Sequence, residues 1–199
     1  YYMGIYNQFL ILSAFVNDKT FSLDMSEEQR LARLGEIIGH ELTHGFDPNG
    51  IKYDKDGNLV ADDNNPNGWM PAADYEAYMK RAEKVADYFN SIIPVPYGRC
   101  DGTAMWGEAS ADIGGMSIAL KIAEDIDGFD YDEFFRNHSI LWRQQSTLIS
   151  DRYDYTNEHP LSHLRINVTN QQFDEFYDTY DIKEVDLMYL APENRIKIW

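Results

Sequence analysis

The sequence predicts a mainly α domain, formally α+β, with a small β element beside its cleft. Three observations carry that expectation. A helix signal begins at Ser26, where Ser26-Glu27-Glu28-Gln29 forms a capping-box pattern, and an apolar stripe follows at Leu31, Leu34, Ile38 and Leu42. A second stretch, 103–125, is rich in small residues that let a helix pack close against a neighbour. Against these helical signals stands a β-branched and aromatic run at 5–12 (IYNQFLIL), which reads as a strand or hairpin arm.

Taken in order, the strand-like run gives way to a loop at Asn17-Asp18, then to the capped helix, which should stop between 45 and 50 at Pro48 and Gly50. Residues 53–71 form a polar loop. Its Asp54-x-Asp56-Gly57-Asn58 hints at a calcium loop but lacks the full ligand spacing and the late Glu, so an Asp-Gly turn is expected. Asp74 should cap a second helix running to about 93, ended by Pro94 and Pro96. The small-residue helix follows, then a fourth over 132–149 (DEFFRNHSILWRQQSTLI). Residues 157–164 read as a loop and 165–168 as a short extended piece. Thr169 or Asn170 should cap a last helix to about 180.

A chain of 199 residues fits one domain, or a large part of one, with room for a core. Apolar residues make up 44% and aromatics 14%, which marks globular rather than disordered material. The net charge of −17 repels nucleic acid and anionic membranes and argues against both as partners. The single cysteine, Cys100, rules out an internal disulfide and belongs to no metal-binding Cys pair. No apolar run approaches the roughly 20 residues of a membrane span, and no signal peptide opens the sequence. The chain starts without Met, at Tyr1-Tyr2, inside strand-like sequence. It is therefore read as one domain, 1–199, forming the C-terminal part of a longer protein.

His40-Glu41-Leu42-Thr43-His44 is the stretch that carries chemistry. Residues four apart on a helix sit about 40° apart around the axis, one turn up, so His40 and His44 point the same way and can share a zinc ion. Glu41 beside them is placed to take a proton from a metal-bound water. A catalytic zinc needs a third protein ligand and one open position. The metzincin pattern requires a third His downstream, and Gly45 to Gly50 contain none. A deformylase-type site uses an upstream Cys, and Cys100 lies downstream. A carboxylate from another helix remains. Glu108 can be that ligand, and Asp112, one turn on, faces the same side and can accept the second ring N–H of a ligating histidine. The plainer reading is a solvated acidic pair. The small or apolar flanks Gly107, Ala109, Ala111, Ile113, Gly114 and Gly115 suit a buried face instead.

These blocks resemble the neprilysin family of zinc metallopeptidases. Residues 35–50 (GEIIGHELTHGFDPNG) look like its zinc helix, and Asp56-Gly57-Asn58-Leu59 like the loop after it. Residues 107–115 (GEASADIGG) look like its third-ligand helix. His159-Pro160-Leu161 through Arg165-Ile166-Asn167 is similar to its His…Arg segment, and Pro192-Glu193-Asn194 to the end resembles its C-terminus. The resemblance implies a zincin-like fold, with His40, His44 and Glu108 as zinc ligands and Glu41 as general base. It implies that Asp112 orients a ligand histidine, His40 for preference, that His159 stabilises the oxyanion, and that Arg165 binds a substrate carbonyl. His163 competes with His159 but falls where the family varies, and His138 reads as a packing or surface residue.

Zinc is then the implied cofactor and short peptides the implied substrates, cleaved before hydrophobic residues. The 5–12 strand would offer its edge to the peptide. The sequence departs from the family pattern in several places. The family's Asn-Ala substrate-binding pair and its large helical N-terminal region would precede Tyr1. Asp-Pro-Asn-Gly stands at 47–50, Ala109-Ser110 replace the more usual Asn-Ile, and the C-terminal cysteine of secreted animal members is missing, with Ile196 nearby. The missing cysteine points to a bacterial, disulfide-free branch, cytoplasmic or cell-associated, and the missing N-terminal domain is the expected partner. The alternative is a catalytically weak fragment acting as a zinc- and peptide-binding module. A purely structural zinc site would show four protein ligands and no open position.

Overall fold

The computed structural model describes residues 1–92, 99–154 and 157–198, with the backbone alone at Tyr153. The expected stop at Pro94 and Pro96 and the terminal Trp199 lie outside the described residues. The fold is mainly helical with a small two-stranded sheet, as the sequence predicts.

Strands β1 (Tyr2–Met3) and β2 (Gln8–Phe9) pair antiparallel, with Tyr2 opposite Phe9 and Met3 opposite Gln8. A 3-10 turn at Gly4–Tyr6 and a left-handed Asn7 (φ 44°) join them. The run at 5–12 is therefore not one strand. Its first half is the hairpin turn, which Asn7 permits because its short polar side chain tolerates the left-handed region.

Helix α1 (Glu27–Arg30) opens with the expected capping box. Ser26 Oγ accepts from the Gln29 amide at 3.2 Å, and Gln29 Oε1 accepts from the Ser26 amide at 3.3 Å. A π-turn at Leu31–Gly35 joins it to α2 (Glu36–Thr43). That wider turn shifts the helix phase and corrects the expected stripe. After it the buried positions are Glu36, Ile37, Gly39, His40 and Thr43, while Leu42 is exposed.

Helix α3 (Ala72–Ser91) begins after Pro71, with Asp74 in its first turn rather than at its cap. Helix α4 (Gly102–Ala123) is capped by Asp101, whose Oδ1 accepts from the amides of Thr103 and Ala104. It is buried on almost every side, packing on α2 and α3, which explains its small residues. A Cβ on Gly115 would lie 2.6 Å from the His40 nitrogen and 2.8 Å from the Glu36 carbonyl, so α2 and α4 cross backbone to backbone. This close crossing brings the second half of the site to the first.

The expected helix over 132–149 is two. Helix α5 (Tyr131–Trp142) ends where Arg143 turns extended, and α6 (Leu148–Asp154) restarts with Thr147 Oγ1 accepting from the Ser150 amide. The expected extended piece at 165–168 is helical. It lies within α7 (Ser162–Asn170), where Leu164, Arg165, Val168 and Thr169 are buried at helical spacing. Tertiary packing overrides the weak helix propensity of Ile166, Val168 and Thr169. Helix α8 (Asp174–Tyr180) starts after Phe173, four and three residues later than the expected caps at Thr169 and Asn170. The Asp-Gly turn is as expected: Asp54 Oδ1 accepts from the amides of Asp56 and Asn58 at 2.9 Å each, and Gly57 has φ 81°.

Three hydrophobic clusters form among the described residues, and two of them pack along α4. Val85, Phe89, Met105, Ile113, Leu164 and Ile196 pack around the first half of α4. Met116, Leu120, Phe134, Phe135, Phe176 and Tyr177 pack around its second half. Each fully buried side chain of this size contributes about 1.5–3 kcal/mol.

Candidate metal centre

His40 and His44 sit on the last turn of α2 and at its C-cap, with ring centroids 4.6 Å apart and ring planes at 90°. Their Nε2 atoms face each other at 3.0 Å. Glu108, from the first half of α4, closes the group: Oε2 lies 3.4 Å from His40 Nε2, and Oε1 lies 3.4 Å from His44 Nε2. Three donors from two distant segments thus converge.

Each imidazole is held from behind by a carboxylate. His40 Nδ1 lies 2.8 Å from Asp112 Oδ1, and His44 Nδ1 lies 2.6 Å from Asp47 Oδ2. A carboxylate fixes an N–H on the nitrogen it faces, which turns both Nε2 lone pairs toward Glu108. Two lone pairs and a carboxylate at these distances repel one another unless a cation sits among them. Where protons serve as that cation, the titrations shift accordingly. Burial pulls the His40 pKa down, but its hydrogen bonds to the Asp112 and Glu108 carboxylates outweigh that and raise it to about 9. His44, likewise buried and bonded to Asp47 and Glu108, is raised to about 10. Burial pushes the Glu108 carboxyl up, yet the two imidazoles hold it well below the usual carboxylate range. Two imidazoles with fixed tautomers and one carboxylate are a donor set that suits a borderline divalent metal such as zinc.

Arg165 from α7 locks Asp112. Its Nε donates to Oδ2 at 2.9 Å and its Nη2 to Oδ1 at 2.5 Å, and its Cζ lies 3.7 Å from the centre of the Trp142 ring. Burial pushes the Asp112 carboxyl up, but the guanidinium and His40 together hold it below its ordinary value. Glu36, His40 and Asp112 also offer donor atoms within 4.8 Å of one another. That second grouping is not open to a metal, because Arg165 Nη2 already lies on Asp112 and 3.4 Å from His40 Nδ1.

Glu41 Oε1 lies 3.0 Å from the Tyr1 nitrogen, and its Oε2 is buried without a hydrogen-bond partner among the described residues. His159 Nε2 lies 3.3 Å from Glu108 Oε2, with about half its side chain exposed to the cleft. All seven residues picked out in the sequence are thereby brought together. His163 is exposed on α7 and lines neither cavity at the site. His138 is fully buried in α5, where burial lowers its pKa to about 4, a packing residue.

Sequence reasoning missed three participants. Asp47 was signalled only by its place three residues after His44, ahead of the Pro-Asn-Gly turn. Trp142 carried no signal of its own. Glu36 is fully buried, and among the described residues neither of its carboxylate oxygens is hydrogen-bonded. Burial and then Asp112 raise its pKa to about 8.

A family model described as peptidase family M13 matches residues 1–196. The chain belongs to peptidase family M13. The neprilysin resemblance drawn from the separated sequence blocks is borne out by that membership. Among relatives of this M13 chain, the neutral endopeptidase of Lactococcus lactis subsp. cremoris is 35% identical over 205 residues, covering 100% of the chain and 31% of the relative. Human endothelin-converting enzyme-like 1 is 26% identical over 216 residues, covering 100% of the chain and 26% of the relative. A crystal structure of PepO from Lactobacillus rhamnosis HN001 superposes with a TM-score of 0.88 at 28% identity, covering 100% of this chain and 30% of that one. A Mycobacterium tuberculosis zinc metalloprotease in complex with inhibitor gives the same score and identity, covering 100% and 32%. The M13 chain therefore spans between about a quarter and a third of the length of the proteins it matches.

Proposed function

We propose that this chain carries the catalytic centre of a zinc-dependent endopeptidase that hydrolyses short peptides. The observation that carries the reading is the convergence of His40 Nε2, His44 Nε2 and Glu108 at the floor of a cleft, with Glu41 on the same helix. These three residues would hold zinc. When bound, zinc supplies Lewis-acid polarisation of a water and of the scissile carbonyl.

The protein residues do the rest. Glu41 takes the proton of the attacking water and passes it to the leaving amine. Asp112 and Asp47 hold the two imidazoles in the tautomer whose Nε2 faces inward. His159, on the cleft wall, aims a donor where negative charge develops, worth about 3 kcal/mol for one such group. Arg165 has Nε and Nη2 engaged by Asp112, which leaves Nη1 for a substrate carbonyl.

Beside Arg165 lies a cavity of about 220 Å³ lined by Leu10, Leu12, Phe15, Ile37 and Trp142. A leucine or phenylalanine side chain buried there contributes about 1.5–3 kcal/mol. This supports cleavage before a hydrophobic residue.

A second reading is favoured by the chain's spanning 31% of the length of its bacterial relative. On that reading the 199-residue stretch alone binds zinc and peptide but turns over slowly. Glu41→Gln tests the catalytic reading. Zinc should still bind stoichiometrically, and hydrolysis of a quenched peptide should fall by about 10²- to 10⁴-fold. Unchanged turnover would remove Glu41 as the base and the mechanism with it.

A further inference from the structure

The metal-binding group lies between two chambers of opposite character. One is the apolar cavity that includes Arg165. The other, about 380 Å³, is walled by Tyr2, Tyr53, Asn49, Asp47 and Glu158, and its described lining residues include no lysine or arginine. Asp47 is already bound to His44 and to two loop amides, so its charge is occupied. Glu158 is different. Its side chain is 71% exposed on the rim, its Oε1 lies 3.9 Å from His159 Nδ1, and among the described residues no lysine or arginine pairs with it.

We propose that this chamber receives the residues on the amino side of the scissile bond and selects a cationic side chain there, with Glu158 as the specificity-determining carboxylate. The proposal rests on the endopeptidase reading above. It follows from placement. If the apolar cavity beside Arg165 holds the residue after the cleaved bond, the peptide must run across the metal-binding group into the polar chamber. A lysine or arginine entering there meets a rim carboxylate that no lysine or arginine pairs with among the described residues. It is drawn further by the field of a chain whose net charge is −17. A glutamate at the same place meets repulsion and offers no compensating pair. Because Glu158 is solvent-exposed, the preference is modest, about two- to fivefold, and salt weakens it.

The test uses the zinc-loaded protein as its native gene encodes it. Three quenched peptides differ only in carrying Lys, Gln or Glu at the two positions before a cleaved Leu. Values of kcat/KM should fall in the order Lys, Gln, Glu, through KM rather than kcat, and converge in 0.5 M NaCl. Glu158→Gln should bring the Lys-to-Glu ratio close to one, and Glu158→Lys should invert it. A ratio unchanged in Glu158→Lys, or a wild-type ratio at or below one, overturns the proposal while leaving the endopeptidase reading intact. Cleavage of none of the three peptides overturns the endopeptidase reading and takes this inference with it.

Discussion

His44 and Asp47 face each other across a single turn, with Nδ1 and Oδ2 2.6 Å apart, and the other Asp47 oxygen accepts from the amides of Asn49 and Gly50. One carboxylate thus holds the His44 imidazole and folds the turn that ends the helix bearing it. Gly50 completes that turn, because a Cβ there would sit 1.7 Å from the His44 carbonyl oxygen. Asp112 serves His40 in the same way from α4, so each histidine has its own anion.

Asp47→Asn keeps the size and the loop contacts but removes the charge behind His44. Zinc affinity should fall by about 10- to 100-fold. Competition against a fluorescent chelator reads the affinity, and far-ultraviolet circular dichroism should show the helices intact. Wild-type affinity in the variant would mean that Asp47 serves the turn alone.

Metal binding should depend on pH with a definite sign. His40 and His44, raised to about 9 and about 10, favour their protonated forms in the folded protein without metal. The stability they contribute is full below their ordinary value of 6.5 and is lost as pH rises through 9 and 10. Zinc must displace those protons, so its apparent affinity rises over the same window. Thermal unfolding of chelator-treated and zinc-loaded protein between pH 6.5 and 10 should give Tm values that diverge as pH increases. A gap that stays constant or narrows would contradict the assignment of these protons.

Gly115 tests how the two halves of the site are held together. Its Cβ would press on the backbone of both His40 and Glu36, so Gly115→Ala must push α2 from α4. The expected cost is about 1–3 kcal/mol from overpacking. Zinc affinity should also drop, since Glu108 rides on α4 while the histidines ride on α2. Denaturant unfolding and zinc titration check the two effects separately. A loss of stability with unchanged zinc affinity would show that the crossing is not what sets the donor geometry.

The parts of this site that were legible in the sequence are those fixed by local period. His40 and His44 lie one helical turn apart, as do Glu108 and Asp112, and the Ser26 capping box announces the helix that delivers the first pair. What was not legible depends on distant packing. Residues 165–168 read as extended because Ile166 and Val168 are β-branched, and only the contacts of α7 with α4 and α5 make them helical. The π-turn at Leu31–Gly35 left no sequence mark, yet it shifts the helix phase so that Ile37 and His40 turn inward while Leu42 turns out. Asp47 was hidden because an acid before a Pro-Asn-Gly turn reads first as a turn residue.

Glu36 is the buried group that the proposed chemistry does not use. It is fully enclosed, its two carboxylate oxygens have no hydrogen-bond partner among the described residues, and burial followed by Asp112 raises its pKa to about 8. An acid with a raised folded pKa favours its neutral form, so its contribution to stability is full below 4.5 and is lost as pH climbs toward 8. Glu36→Gln retains the shape of the neutral acid and cannot ionise. The variant should therefore match the wild type near pH 4.5 and exceed it in Tm by pH 8, with the gap opening through the interval between. Parallel Tm curves for the two proteins across that range would show that Glu36 does not carry the pH dependence assigned to it. Glu36→Leu then separates charge from polarity. If the buried acid is held only as a neutral, unpartnered group, the apolar variant should be at least as stable as the glutamine one at pH 8, because no hydrogen bond is lost.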